Sequence, residues 1–195
     1  MNKIYYLMGK SASGKDTIFK RLRKKNKGLK TVVLYTTRPM REKEIEGVEY
    51  HFLTDAQMDQ FVKEEKVIEL RAYHTMHGIW RYATIDDGQI DLSRDSYLMM
   101  GTLESYESLR GYYGEDSLVP LYIEVPDGIR LRRALQREER QEKPKYQELC
   151  RRFLADAEDF SEKKLRQAKI NIHYSNENMV ECIRKITEVI NHGEL

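Results

Sequence analysis

GKSASGKDT, residues 9–17, meets the pattern G-x-x-x-x-G-K through Gly9, Gly14 and Lys15, and its flanks decide the fold. Ile4 to Met8 form a short apolar run that ends at Gly9, and beyond Lys15 the apolar residues Ile18, Phe19 and Leu22 recur at helical spacing. Strand, glycine loop and helix, in that order, are the context in which the motif binds phosphate. Glycines are needed because backbone N–H groups turn inward around phosphate oxygens where a Cβ would intrude, and the helix adds its positive end. The candidate ATP-phosphate set is Gly9, Lys10, Ser11, Ala12, Ser13, Gly14, Lys15, Asp16 and Thr17, with Lys15 reaching the β and γ phosphates. The competing reading is a glycine turn capping a helix beside a solvated lysine.

One position departs from the motif. The residue after the lysine is ordinarily Ser or Thr, whose hydroxyl helps hold Mg²⁺, and here it is Asp16, followed by Thr17. Asp16 either binds the ion or its waters, or points away and leaves Thr17 to cap the loop. A further negative charge beside a triphosphate favours the second unless the metal neutralises it.

Outward from the loop, Thr31 to Tyr35 is β-branched and apolar and reads as a strand, as does Glu49 to Leu53. Thr54 with Gln57 forms a capping box that opens a helix to about Glu65. Val67 to Tyr73 and Gly78 to Thr84 read as strands of a small sheet. Tyr97 to Met100 and Leu118 to Val125 are apolar strands around a helix from about Leu103 to Tyr112. From Ile129 to about Arg166 the pattern is helical and charged, interrupted near Pro144; a strand over Lys169 to Tyr174 and a helix over Asn178 to Asn191 follow. Repeated βα units predict an α/β fold, a parallel sheet covered by helices on both faces. The expected single domain divides into a core (1–35, 96–128 and 167–195), a small β-rich insert over about 36–84, and a helical lid over about 129–166.

With 195 residues the chain fits one domain. Its 34 basic and 32 acidic side chains leave a net charge of +2, which carries no nucleic-acid or membrane signature. Any anion must be bound by a local cluster. The two cysteines, Cys150 and Cys182, match neither a C-x-x-C pair nor a disulfide framework, so reduced thiols and a cytoplasmic setting are expected. No secretory leader and no apolar run near 18 residues is found in the sequence.

Residues 36–52, TTRPMREKEIEGVEYHF, place Arg38 and Arg41 three apart, then Glu44, Gly47 and Tyr50. Two guanidinium forks and a phenol suit one dianionic phosphate, because arginine's planar donors meet phosphate oxygens in pairs. Taken alone, two loop arginines also fit a solvated surface. The pattern T-T-R-P-x-R-x-x-E-x-x-G-x-x-Y-x-F, about 20 residues after the glycine loop, resembles the signature of guanylate kinases. That resemblance implies that Arg38, Arg41 and Tyr50 bind the phosphate of GMP. It implies further that Glu69, at the end of Val67-Ile68-Glu69, accepts from the guanine N1 and N2 edge. A family Y-G pair aligns with His77-Gly78, so His77, or Tyr82 in its stead, is a candidate donor to the GMP phosphate.

Two family features differ here. The family serine before T-T-R is replaced by Leu34 or Tyr35, and the family L-D-x-D strand corresponds to Leu98-Met99-Met100-Gly101-Thr102, which has no carboxylate. The charged helices of 129–166 resemble the family lid, which implies that Arg137 or Arg140, together with Arg152, closes on the transferring phosphoryl group. Asn176 lies near where the family places an asparagine by the adenine. The expectation is a Mg²⁺-dependent kinase, ATP plus GMP giving ADP plus GDP, without nucleic-acid or membrane partners. A different phosphorylated acceptor, or a phospho-ligand-binding module without catalysis, are the alternatives.

Overall fold

The computed structural model describes residues 1–75 and 78–192. β1 (Ile4–Met8) is buried at all five positions because it is the middle strand of a parallel sheet. It pairs with β7 (Tyr97–Met100) on one side and β8 (Leu118–Glu124) on the other; β2 (Lys30–Thr31) and β9 (His173–Ser175) are the edges. Alternation sends Ile4, Tyr6 and Met8 into one core with Leu103, Tyr106 and Phe160, and Tyr5 and Leu7 into another with Ile18, Leu22 and Ile186. A strand covered on both faces therefore reads as an unbroken apolar run.

Helices supply both covers. α1 (Lys15–Lys25) and α7 (Met179–His192) pack on one face, and α3 (Leu103–Tyr113) packs on the other. The charged stretch resolves into α4 (Asp127–Glu139), α5 (Tyr146–Asp159) and α6 (Glu162–Gln167), with Pro144 in the break between the first two. No described helix is long and apolar enough to cross a membrane.

A second sheet has the order β4-β3-β6-β5, built from β3 (Tyr35–Thr36), β4 (His51–Phe52), β5 (Val67–Thr75) and β6 (Gly78–Ile85). Its own small core of Met58, Ala83 and Ile85 sits beneath α2 (Asp55–Lys63), which opens with the expected Thr54–Gln57 capping box. The helix ends before Glu65, whose φ of 55° is incompatible with a further turn.

Two expected strands are corrected. Residues 31–35 are not one strand: the chain leaves the large sheet after Thr31 and joins the small one at Tyr35. Between them Val33 has its N–H and C=O taken by the side-chain amide of Gln89 at 2.9 and 3.2 Å, which does the work of a neighbouring strand. The last strand starts at His173 and not at Lys169, whose φ of 58° lies in the left-handed region.

Candidate functional site

The glycine loop joins the C-terminal end of β1 to α1. At Gly14 φ is +89°, and a Cβ there would lie 2.5 Å from the Asn176 amide; at Gly9 it would lie 2.5 Å from the Ile123 carbonyl oxygen. Both glycines are thus demanded by close approach. The loop is internally tied by Ser13 N–H to Lys10 O at 3.2 Å and by the N–H groups of Thr17 and Ile18 to Gly14 O. The amides of Gly14, Lys15 and Asp16 donate to no described protein group, leaving the open donors of a helix N-terminus. Lys15 is half-buried beside them, while Asp16 and Thr17 are exposed.

Three further residues shape this loop. Asn176 is fully buried beneath it and donates its amide to Ser13 O at 2.7 Å, so it supports the loop, and its neighbours Ser175 and Glu177 line a cavity with Lys10 and Asp127. Asp156 of α5 accepts from the N–H of Ser11 at 2.8 Å and from its hydroxyl at 3.3 Å. Arg130 of α4, 1% exposed, donates to Ser11 O, Asp156 and Asp127, with its guanidinium 4.6 Å from the Phe153 ring centre. Arg130 and Asp156 have no signal in the sequence, since they lie on two different helices, 26 positions apart, and pair with each other and with Ser11 only in the fold.

The small sheet carries the second cluster. Arg38 donates both terminal nitrogens to Glu44 at 2.9 and 2.8 Å and lies 5.5 Å from the rings of Tyr50 and Phe52; its Nε is buried without a partner. The hydrogen bonds between Arg38 and Glu44 raise the pKa of the first and lower that of the second. Tyr50 meets Tyr82 edge-on at 5.6 Å, and burial raises its pKa. His77 lies outside the described residues.

Farther along the same face, Glu69 accepts from Arg71 Nε at 2.9 Å and Nη2 at 3.3 Å, and from the Thr84 hydroxyl at 3.0 Å. Burial pulls the Arg71 pKa down, but the charge and hydrogen bonds of Glu69 outweigh it and leave the value raised. Arg71 escaped the sequence reading, although a residue two positions from Glu69 on a strand must share its face.

The loop, Arg41 and the charged helices share a space. A cavity of about 340 Å³ is lined by Ser11 of the loop, Arg41 of the insert, and Arg137, Glu148 and Arg152 of the helical segment. Arg152 donates to Glu148 at 2.7 Å, and the bonds from Arg151 and Arg152 hold that carboxylate down at about 2. Arg140 caps α4 and is exposed, outside the cavity lining.

A glycine loop emptying onto a helix N-terminus, on a parallel sheet accompanied by a basic and aromatic second sheet, is the architecture of a P-loop α/β protein. The crystal structure of guanylate kinase from Anaplasma phagocytophilum matches with a TM-score of 0.65 over all of this chain and 87% of that one, at 17% identity, so the fold is shared. A family profile described as Guanylate kinase matches residues 1–87. Guanylate kinase of Thermobifida fusca is 40% identical over 67 residues, and that of Gloeobacter violaceus 34% over 73. These stretches cover 34% and 37% of the chain and only 34% and 36% of the two relatives. The chain is thus similar to guanylate kinases in sequence over residues 1–87 and in fold over its whole length.

Proposed function

We propose that the protein transfers the γ-phosphoryl group of ATP to GMP, with the P-loop holding ATP, the insert holding GMP, and residues of the 129–166 segment closing over the transfer. The carrying observation is the cavity that gathers Ser11, Arg41, Arg137 and Arg152 from three separated parts of the chain. Cations converging on one space suit a loose, in-line transfer, where catalysis is positioning plus neutralisation of charge on the equatorial oxygens. Lys15 and Arg137 act on the transferring group, while Arg38, Arg41, Tyr50 and Tyr82 hold the acceptor phosphate. No general base is required, because the acceptor oxygen is already anionic. Arg38 enters this role with its fork preset by Glu44 and the aromatic rings, so little side-chain freedom is lost on binding. The donor base lies in the cavity bordered by Lys10, Asp127, Ser175 and Glu177.

Mg²⁺ with ATP fits this loop. Among the described residues no three His, Cys, Asp or Glu side chains gather as a ready-made metal site, and Mg²⁺ is commonly bound through one carboxylate plus substrate phosphates and water. The exposed Asp16 carboxylate and Thr17 hydroxyl at the start of α1 are the groups that would hold it. Bound there, the ion would neutralise phosphate charge. Asp16→Ser is expected to shift the Mg²⁺ concentration for half-maximal activity about tenfold. An unchanged Mg²⁺ requirement removes Asp16 from the ion.

A coupled ADP-release assay with ATP, Mg²⁺ and GMP, dGMP, AMP, UMP or ribose 5-phosphate tests the reaction. GMP and dGMP are expected to exceed the others by at least about tenfold in kcat/KM, since base contacts discriminate by more than one hydrogen bond's worth. Turnover without any preference for guanine over adenine would refute the assignment. A cytoplasmic setting accords with both cysteines being free thiols.

A further inference from the structure

Glu69 and Arg71 form the polar wall beyond the candidate phosphate cluster. Glu69↔Thr84 and Arg71↔Tyr82 are directly paired across β5 and β6, so all four side chains share the face that carries Tyr82 and, through it, Tyr50. A carboxylate has about four lone-pair sites. On Oε1 of Glu69 both are taken, by Arg71 Nη2 at 3.3 Å and Thr84 Oγ1 at 3.0 Å; on Oε2 one is taken, by Arg71 Nε at 2.9 Å. One acceptor site remains.

Arg71 has donors to spare. Of its five N–H groups, two go to Glu69 and one points at Thr102 Oγ1 at the long distance of 3.5 Å. Arg71's side chain is 10% exposed against 2% for Glu69, so the guanidinium is the larger share of what an incoming base meets. Its position is supported from below. Thr102 is locked by a reciprocal cap with Ser105, and Ser105 is bonded to Tyr6 OH at 2.5 Å. Gly101 is required there because a Cβ would collide with that same Tyr6 oxygen.

From this accounting we infer that Arg71 is a specificity-determining residue of the acceptor pocket, and that the wall reads a 6-oxopurine through C6=O and N1–H while leaving the 2-amino group unread. A spare guanidinium N–H meets the carbonyl, and the remaining site on Glu69 Oε2 accepts from N1–H. The second donor of guanine, its 2-amino group, would need an Oε1 that Arg71 and Thr84 already saturate. GMP and IMP are thus equivalent ligands of this wall, and AMP, which presents a donor at C6 and an acceptor at N1, is mismatched at both points. The inference rests on the proposed function, because it takes the acceptor to be a nucleoside monophosphate.

The test compares GMP, IMP and AMP as acceptors, and by calorimetry as ligands without ATP, in the parent protein and in Arg71→Met. The parent is expected to use GMP and IMP within about tenfold of each other, whereas a site built to pair the 2-amino group rejects the analogue lacking it by about 10⁴-fold. Arg71→Met releases Glu69 to accept from N1 and N2 together, and the GMP-to-IMP ratio should rise at least about tenfold. Should that variant not fold, Arg71→Lys keeps the charge opposite Glu69, gives up the fork, and should move the ratio the same way by a smaller factor. A parent that rejects IMP by a thousandfold, or a ratio unmoved in the folded variant, overturns the inference and leaves GMP phosphorylation standing. Failure to bind either nucleotide removes the function and the inference together.

Discussion

Lys15→Met is expected to lower kcat for phosphoryl transfer by about 10³-fold while the protein melts within a few degrees of the parent. The loop does not depend on this side chain for its shape. Gly9 and Gly14 are set by the Ile123 carbonyl and Asn176, and Ser11 and Ser13 are held by Asp156, Arg130 and Asn176. Lys15 makes no ion pair with any described residue, so its removal strands no partner. What is lost is the charge that follows the transferring group. Under the proposed function the loop amides would share the β phosphate with the lysine in the ground state, but as the bond to the γ group loosens, charge builds on the leaving oxygen and the missing cation would matter most there. The effect should therefore fall on kcat more than on ATP affinity, for which about tenfold is expected from one charge-assisted hydrogen bond. Single-turnover kinetics and ATP titration separate the two. A variant retaining a tenth of the parent kcat would mean that Lys15 is a solvated helix residue.

The parts that could be read from sequence are the local ones. Gly9, Gly14 and Lys15 fall within seven residues, and strand, loop and helix follow from periodicity on either side; the Thr54–Gln57 cap is likewise a four-residue pattern. The Arg38 and Tyr50 cluster was visible because one loop and one short strand bring it together. Features that depend on the chain changing sheets were not visible. Residues 31–35 look like one strand because Val32 and Leu34 do pack on the core; what breaks the strand is Gln89, 56 positions away. The resemblance implies only that Asn176 lies near where the family places an asparagine by the adenine; that its amide donates to Ser13 O beneath the loop was not to be read from the sequence. Arg130 and Asp156 look like two more charges on solvated helices, and only the fold reveals that Ser11 sits between them.

Arg130→Ala is expected to lower the melting temperature by about 10 °C, the largest stability effect of any single charged side chain described above. Arg130 is 1% exposed and bonds to two carboxylates and a backbone carbonyl, and these contacts do not weigh equally. Asp127 is 57% exposed, so water replaces the guanidinium there at little cost. Asp156 is only 14% exposed, and Ser11 O lies inside the same contact; each is left short of a donor when the guanidinium is removed. Breaking one partner out of a buried pair costs about 3 to 5 kcal/mol, and for a chain of this size each kcal/mol is worth about 2 to 4 °C. The loss also reaches the phosphate loop, because Ser11 then keeps only its Asp156 contacts, and that carboxylate is free to swing toward incoming phosphate. ATP affinity should fall with stability, which a purely structural arginine elsewhere would not cause. Asp156→Asn on the Arg130→Ala background removes the stranded charge and should recover part of the melting temperature, a coupling of more than about 1 kcal/mol in the double-mutant cycle. Additive effects of the two substitutions, or a melting temperature for Arg130→Ala within 2 °C of the parent on the scale just given, would show that α4 and α5 hold the loop by packing alone.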